Sequence, residues 1–133
     1  MLPVLICVDD EMILLKSLEF EILDFFHNQI EVLTAQSPDD AYFLINDVIA
    51  NNHIVFLVIS DQHMGIYDGV EFLKSLNEIY PEIYKILLTG YKTDEIEKKL
   101  KQEANLYAVI EKPWSSSEIY KKIEECLKLF SEN

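Results

Sequence analysis

The most informative stretch of this 133-residue chain is IVFLVISD, residues 54–61. Its first six positions are all apolar, which is typical of a strand buried on both faces at the centre of a parallel sheet. The run then ends abruptly in a serine and an aspartate. We therefore predict a central strand over Ile54–Ser60 that brings the carboxylate of Asp61 to its C-terminal end.

Four further short runs have the β-branched composition of strands. They cover Val4–Val8, Glu31–Ala35, Lys85–Thr89 and Leu106–Ile110. Each strand is followed by a stretch with helical spacing, and these stretches run from Met12 to His27, Ser37 to Asn52, Asp68 to Tyr80, Asp94 to Ala104 and from Ser115 onward. Because crossovers between parallel strands are right-handed and helix-length, this succession predicts a doubly wound α/β fold with helices on both faces of a five-stranded parallel sheet.

The predicted helices carry start signals and apolar faces. Ser37 followed by Pro38 and two aspartates is typical of a helix N-terminus, and the serines before Glu118 predict a second cap. The predicted buried faces are Leu14, Leu18, Ile22 and Phe25 or Phe26 in the first helix, and Ile119, Ile123, Leu127 and Phe130 in the last.

The charge of the chain argues against two classes of partner. The sequence has 24 acidic residues and 11 basic ones, all of them lysine, for a formal net charge of −13. Such a field repels a phosphate backbone and an anionic lipid surface, so we expect neither direct nucleic-acid binding nor membrane binding. No apolar stretch reaches membrane-spanning length.

The cysteines and the linker composition indicate a single cytoplasmic domain. Cys7 and Cys126 are too few for a disulfide framework, and we expect both to be buried apolar side chains in a reducing cytoplasm. No Gly/Ser-rich linker or internal repeat divides the sequence. We therefore predict one domain over residues 1–133, with no output domain in this chain.

Polar residues follow four of the five predicted strands. They are Asp9-Asp10 after the first strand, Asp61 after the third, Thr89-Gly90 after the fourth and Lys112-Pro113 after the fifth. Ligands of such sheets bind outside the carboxyl ends of the strands. We therefore expect these side chains to converge on one rim of the sheet, although they are far apart in sequence.

This set of side chains has a chemistry of its own. Clustered carboxylates repel one another, so they either retain protons or hold a cation. Mg²⁺ suits them because it takes one or two protein carboxylates together with phosphate oxygens, and Mn²⁺ is compatible with the same ligands. A carboxylate beside that ion can act as a nucleophile toward a phosphoryl group and form an acyl phosphate, while a lysine and a hydroxyl stabilise the phosphoryl oxygens.

The ordered motifs of the chain resemble a known family. The set VDDE (8–11), ISDQHM (59–64), DG (68–69), LTG (88–90) and KPW (112–114) is similar to that of the CheY-like receiver domain of two-component response regulators, over essentially the whole chain. The resemblance implies a flavodoxin-like topology with strand order 2-1-3-4-5.

The resemblance also implies a role for each residue that matches a motif. Asp61 would accept a phosphoryl group from a sensor histidine kinase or a phosphotransfer protein, and Asp9, Asp10, Asp61 and the backbone carbonyl of His63 would hold Mg²⁺. Thr89 would be the switch hydroxyl. Lys112 would contact the phosphoryl group, and its bond to Pro113 would be cis.

The chain departs from the family pattern at three places. Gly65 stands where the family usually has proline, which predicts a more mobile loop after Asp61. Val109 stands where an aromatic switch residue is expected, and we expect Tyr107, two residues earlier, to share its face of the strand. The chain before Asp61 is also somewhat longer than usual, around Asn46–Asn52.

These observations favour a phosphorylation-controlled switch that is not an enzyme on an external substrate, with only self-phosphorylation and autodephosphorylation expected. Its output would be the surface of the fourth helix, fifth strand and fifth helix, which would form a homodimer or dock a downstream protein or output domain. Two alternatives stay open: a receiver-fold scaffold that works without phosphorylation, and a Mg²⁺-dependent phosphohydrolase with an aspartyl nucleophile. The second would normally need another acid where His63 stands.

Overall fold

The structure, a computed structural model, describes residues 1–132. Strands and helices alternate over these residues in the order β1 (Val4–Val8), α1 (Met12–Phe25), β2 (Glu31–Ala35), α2 (Pro38–Ala50), β3 (Val55–Asp61), β4 (His63–Met64), β5 (Tyr67–Asp68), α3 (Gly69–Ile79), β6 (Tyr84–Thr89), α4 (Asp94–Ala104), β7 (Ala108–Glu111) and α5 (Ser116–Ser131). The predicted doubly wound α/β fold is confirmed.

Five parallel strands form the main sheet in the order β2-β1-β3-β6-β7. This is the predicted order 2-1-3-4-5, because β4 and β5 pair only with each other in a small antiparallel hairpin. β3 is buried at every position, as expected for the central strand. It runs one residue later than predicted, because Ile54 precedes it and is exposed while Asp61 is its last residue. The order places the C-terminal ends of β1, β3, β6 and β7 side by side.

The helices cover the two faces of the sheet. One face packs against α1 and α5, and the other packs against α2, α3 and α4. Cys7 and Cys126 are both buried in the first of these layers, as predicted. None of the helices described over residues 1–132 is long and apolar enough to cross a membrane.

Two predicted helix faces need correction. In α1 the predicted Leu18 and Ile22 are buried, but Leu15 is buried in place of Leu14. Of the two predicted phenylalanines, Phe26, directly after α1, is the buried one. In α5 the third buried position is Cys126, while Leu127 and Phe130 are only half-buried at its margin. Neighbouring apolar residues on a helix compete for the same face, and the tilt of the helix on the sheet decides between them.

The predicted helix caps are confirmed. The Ser37 hydroxyl accepts a hydrogen bond from the Asp40 N–H (3.1 Å), and the Ser115 hydroxyl accepts one from the Glu118 N–H (3.1 Å). Each bond satisfies a backbone donor that has no partner within the helix.

Candidate functional site

Asp61 is the last residue of β3 and is 4% exposed. Its carboxylate accepts a hydrogen bond from the Lys112 ammonium, which follows directly after β7. The Lys112 N–H donates to the Thr89 carbonyl (2.7 Å), and the Lys112–Pro113 bond is cis, as the resemblance implied. The ends of β3, β6 and β7 therefore build one charged site.

Asp9 lies beside Asp61 because Val8 of β1 pairs with Ser60 of β3. Asp9 is 7% exposed, and its Oδ1 accepts a hydrogen bond from the Glu11 N–H (3.0 Å). Burial, reinforced by the negative charge of Asp61, raises the pKa of Asp9 to about 6, although the Lys112 ammonium opposes the shift. An added cation would stabilise the ionised form of this carboxyl.

The hairpin formed by β4 and β5 brings the loop after Asp61 back to the acidic rim. Its two-residue turn begins with Gly65 at a φ of +64°, as in type II′ hairpins. A Cβ at this position would lie 3.4 Å from Asp10 Oδ2. Proline has its φ fixed near −65°, so it could not adopt this turn, whereas glycine can.

The donors at this rim fit a magnesium ion better than a metal caged by side chains. Among the residues that the structure describes, no group of three or more His, Cys, Asp or Glu side chains is arranged to hold a metal on its own. Mg²⁺ does not require such a group, because it keeps several waters and takes one or two carboxylates. The exposed Asp10, the buried Asp9 and Asp61, and the nearby loop that carries the His63 carbonyl supply oxygen donors of this kind.

Gly69, the first residue of α3, is packed against the backbone of Asp61. A Cβ built on it would lie 2.0 Å from the Asp61 carbonyl oxygen and 2.9 Å from the Gln62 Cα. The Gly69 N–H also donates to the Gln62 carbonyl (2.7 Å). This glycine therefore allows the helix to approach closely and fixes the backbone that carries the carboxylate.

Thr89 is 2% exposed and does not contact Asp61 through its hydroxyl. The hydroxyl donates to Oε1 of Gln62 instead, and the Thr89 oxygen lies 3.4 Å from the Tyr91 N–H, which donates to it. Gln62 was not among the site residues predicted from the sequence. Its position directly after Asp61, opposite the strand end that carries Thr89, is the signal that could have identified it.

The expectation that Tyr107 shares the face of Val109 is wrong. Val109 is buried on the side of α3 and α4, whereas the Tyr107 hydroxyl donates to Glu125 of α5 on the other side of the sheet. Tyr107 precedes β7, so the alternation of side chains along the strand does not constrain it. It is therefore not placed to substitute for the aromatic residue that Val109 replaces.

Lys92 joins the loop after Thr89 to the edge strand β7 at two points. Its N–H donates to the Glu111 carboxylate (3.2 Å), and its ammonium donates to the Val109 carbonyl (3.2 Å). The ammonium also pairs with Glu97 of α4 (3.4 Å). These contacts connect the loop, the strand and the helix through one side chain.

Comparison with known proteins agrees with this geometry. The family model of the response regulator receiver domain matches residues 5–124, and the chain belongs to this family. It is 29% identical over 126 residues to the hydrogenase transcriptional regulatory protein HoxA of Bradyrhizobium diazoefficiens, covering 95% of this chain and 24% of that protein. The HoxA protein of Cupriavidus necator is 32% identical over 100 residues, covering 75% of this chain and 20% of that protein.

A solved structure gives the same result for the fold. The CheY-like response regulator receiver domain protein of Methanospirillum hungatei superposes with a TM-score of 0.80 at 26% identity, covering 99% of this chain and 98% of that one. The chain spans about a quarter of the length of the HoxA relatives. It is thus a receiver domain of two-component signalling, a class of domain that works with histidine kinases and output domains.

Proposed function

We propose that this domain is a switch driven by phosphorylation of Asp61, with a sensor histidine kinase or a phosphotransfer protein as the donor. The observation that carries the proposal is the buried Asp61 carboxylate paired with Lys112 and flanked by Asp9. Three strands contribute these groups, so the fold itself assembles a nucleophile together with a positive charge for the incoming phosphoryl oxygens.

Transfer would begin with attack of an Asp61 carboxylate oxygen on the phosphorus of a phosphohistidine. The new P–O bond makes an acyl phosphate, and the P–N bond breaks so that the electron pair leaves with the imidazole. Lys112 stays beside the new group and neutralises part of its charge. The Thr89 hydroxyl would then donate a hydrogen bond to a phosphoryl oxygen.

Asp9, Asp10, Asp61 and the His63 carbonyl would hold Mg²⁺, or Mn²⁺ in its place. The bound ion would supply charge neutralisation between the carboxylates and the phosphoryl oxygens. The raised pKa of Asp9 supports this assignment, because a site that disfavours its own negative charge gains most from a cation.

The output would be a population shift of the surface formed by α4, β7 and α5, for a homodimer or for a downstream protein or output domain. We place the domain in the cytoplasm, without catalysis on external substrates and without direct binding to nucleic acid or membrane. The formal net charge of −13 supports the absence of binding to nucleic acid and to anionic membranes, because it repels both.

The test is an intact-mass measurement after incubation with acetyl phosphate and Mg²⁺. We expect the wild-type protein to gain one phosphoryl group, Asp61→Asn to gain none, and Asp39→Asn, an exposed aspartate of α2, to match the wild type. Partner binding that is identical with and without Asp61 phosphorylation would favour the scaffold alternative. Turnover of an external phosphate ester would favour the phosphohydrolase.

A further inference from the structure

We propose that the side chain of Gln62 is a latch that holds the Thr89 hydroxyl away from Asp61 until a phosphoryl group arrives. This inference rests on the proposed function and assigns a positioning residue to it. Gln62 touches Thr89 and follows Asp61 directly, so it can oppose the switch without taking part in the transfer.

The backbone of Gln62 is held on both sides. Its N–H donates to the Leu88 carbonyl of β6 (2.9 Å), and its carbonyl accepts from the Gly69 N–H of α3 (2.7 Å). The close packing of Gly69 leaves no space for this peptide to move toward the helix. With its backbone held in this way, Gln62 can release Thr89 by rotation of its side chain alone.

The latch works because a hydroxyl has only one proton to donate. The Tyr91 N–H points at the Thr89 oxygen (3.4 Å), and the hydroxyl proton goes to Oε1 of Gln62. The Tyr91 carbonyl lies 3.2 Å from the same hydroxyl and is the competing acceptor. Thr89 is buried, so bulk water is not available as a substitute partner.

Phosphorylation would create a stronger acceptor on Asp61. A charged phosphoryl oxygen binds a hydroxyl proton about twice as strongly as a neutral amide oxygen. The hydroxyl therefore leaves Gln62 only when the phosphoryl group is present, and the lost hydrogen bond lowers the net gain of switching. Gln62 thus sets the threshold at which Thr89 responds.

Removing the acceptor should make the active arrangement easier to reach. Gln62→Met keeps the length of the side chain and removes the amide oxygen. Since a neutral hydrogen bond contributes about 0.5–1.5 kcal/mol, we expect the variant to bind beryllium fluoride, a phosphoryl analogue, about two- to tenfold more tightly than the wild type in the presence of Mg²⁺. Isothermal titration calorimetry measures the affinity of each variant under the same conditions.

A double-mutant cycle with Thr89→Val separates a latch from a general change in packing. We expect the gain in affinity to disappear when Gln62→Met is combined with Thr89→Val, because no hydroxyl remains to be released. Gln62→Leu serves as a second acceptor-free variant in case the methionine disturbs folding. In metal-free protein, either variant should shift the side-chain torsion of Thr89 measured by NMR couplings.

The outcomes are distinct. If the wild type binds beryllium fluoride and both variants bind it with unchanged affinity, the latch is wrong while the proposed function stands. A gain that persists in the Thr89→Val background, or a Thr89 torsion that stays the same in metal-free variants, also overturns the latch. If the wild type binds beryllium fluoride no more tightly than Asp61→Asn does, the proposed function itself fails and the latch fails with it.

Discussion

Two buried charges occupy opposite ends of the sheet and are stabilised in different ways. Asp61 lies at the C-terminal rim, and its partner Lys112 is 51 residues away in sequence. Lys85, which is 1% exposed, lies near the start of β6, and its ammonium donates to the carbonyl of Ile83, two residues away (2.7 Å). Burial lowers the pKa of Lys85, although the nearby Glu82 opposes the shift.

Lys85 and Asp61 differ in what completes their hydrogen bonding, and only Asp61 lies at the site where we propose phosphorylation. The Lys85 ammonium donates to a carbonyl of its own segment, and over residues 1–132 it forms no salt bridge with a side chain from another element. Asp61 is satisfied by a side chain from another strand and is crowded by Asp9, so its environment is adjustable. A bound cation or a phosphoryl group would therefore change the electrostatic environment of Asp61. The Lys85 ammonium, by contrast, already has a backbone carbonyl as its partner.

The largest expected effect separates the two charges directly. Asp61→Asn should abolish labelling by acetyl phosphate, because the amide is not a nucleophile at neutral pH. Lys85→Met should be labelled at the wild-type rate, since its ammonium lies at the other end of the strands. Intact mass spectrometry over time measures both, and a labelling defect in Lys85→Met would break the comparison.

The next effect concerns the close packing of α3 against the C-terminal rim. Gly69→Ala places a Cβ 2.0 Å from the Asp61 carbonyl oxygen, so the backbone must shift, and we expect a loss of about 3 kcal/mol in the free energy of unfolding. Gly90→Ala is the matched control, because a Cβ at that site meets nothing within 4 Å. Urea denaturation measures both variants, and equal stability of the two would contradict close packing at α3.

A smaller effect follows from the titration of Asp9. Its pKa is about 6 in the folded protein and 3.8 as the ordinary value, so the folded state holds the proton more tightly. The stability that this group contributes is present below pH 3.8 and is lost as the pH rises through 6. Without Mg²⁺, Asp9→Asn should therefore be more stable than the wild type at pH 7.5 by about 1–2 kcal/mol, and the difference should vanish near pH 4.

Addition of Mg²⁺ sharpens the same experiment. Ligand binding to the folded state raises its stability, so the wild type should gain more from saturating Mg²⁺ than Asp9→Asn does. Urea denaturation at several pH values, with and without the ion, measures both parts. If the urea denaturation curve of the wild type is the same with and without Mg²⁺, the proposed magnesium site is wrong.

The smallest expected effect is on the stability of Lys85→Met. Methionine has a similar length and removes a buried ammonium, while the Ile83 carbonyl loses one donor. These opposing changes should keep the free energy of unfolding within about 1 kcal/mol of the wild type. A loss of several kcal/mol by urea denaturation would show that the Lys85 ammonium stabilises this end of the sheet, and would contradict the expected near-cancellation.

Local patterns in the sequence were sufficient to predict where most strands and helices of the fold lie. The spans of β1, β2 and α4 match the prediction residue for residue, because strand runs, cap residues and apolar spacing agree there. The convergence of Asp9, Asp61 and Lys112 also followed, since parallel strands must end at one rim. Their chemical roles stay predictions until labelling is measured.

The remaining features depend on contacts that no local pattern contains. The position of Tyr107 depends on Glu125 of a helix packed beneath the sheet, and the bond between Gln62 and Thr89 depends on the alignment of β3 with β6. The hairpin around Gly65 was also missed, because two paired residues on each side of a turn give almost no periodic signal.

The double attachment of Lys92 affects how a signal could leave the site. One residue bonds both the carboxylate of Glu111 and the carbonyl of Val109. If phosphorylation displaces the loop after Thr89, we therefore expect the displacement to reach the main chain of β7. With a small, buried valine in that strand, no rotating ring is available as a relay. For the proposed switch, we therefore expect phosphorylation to change amide hydrogen exchange along β7 rather than the rotamer of an aromatic side chain in that strand.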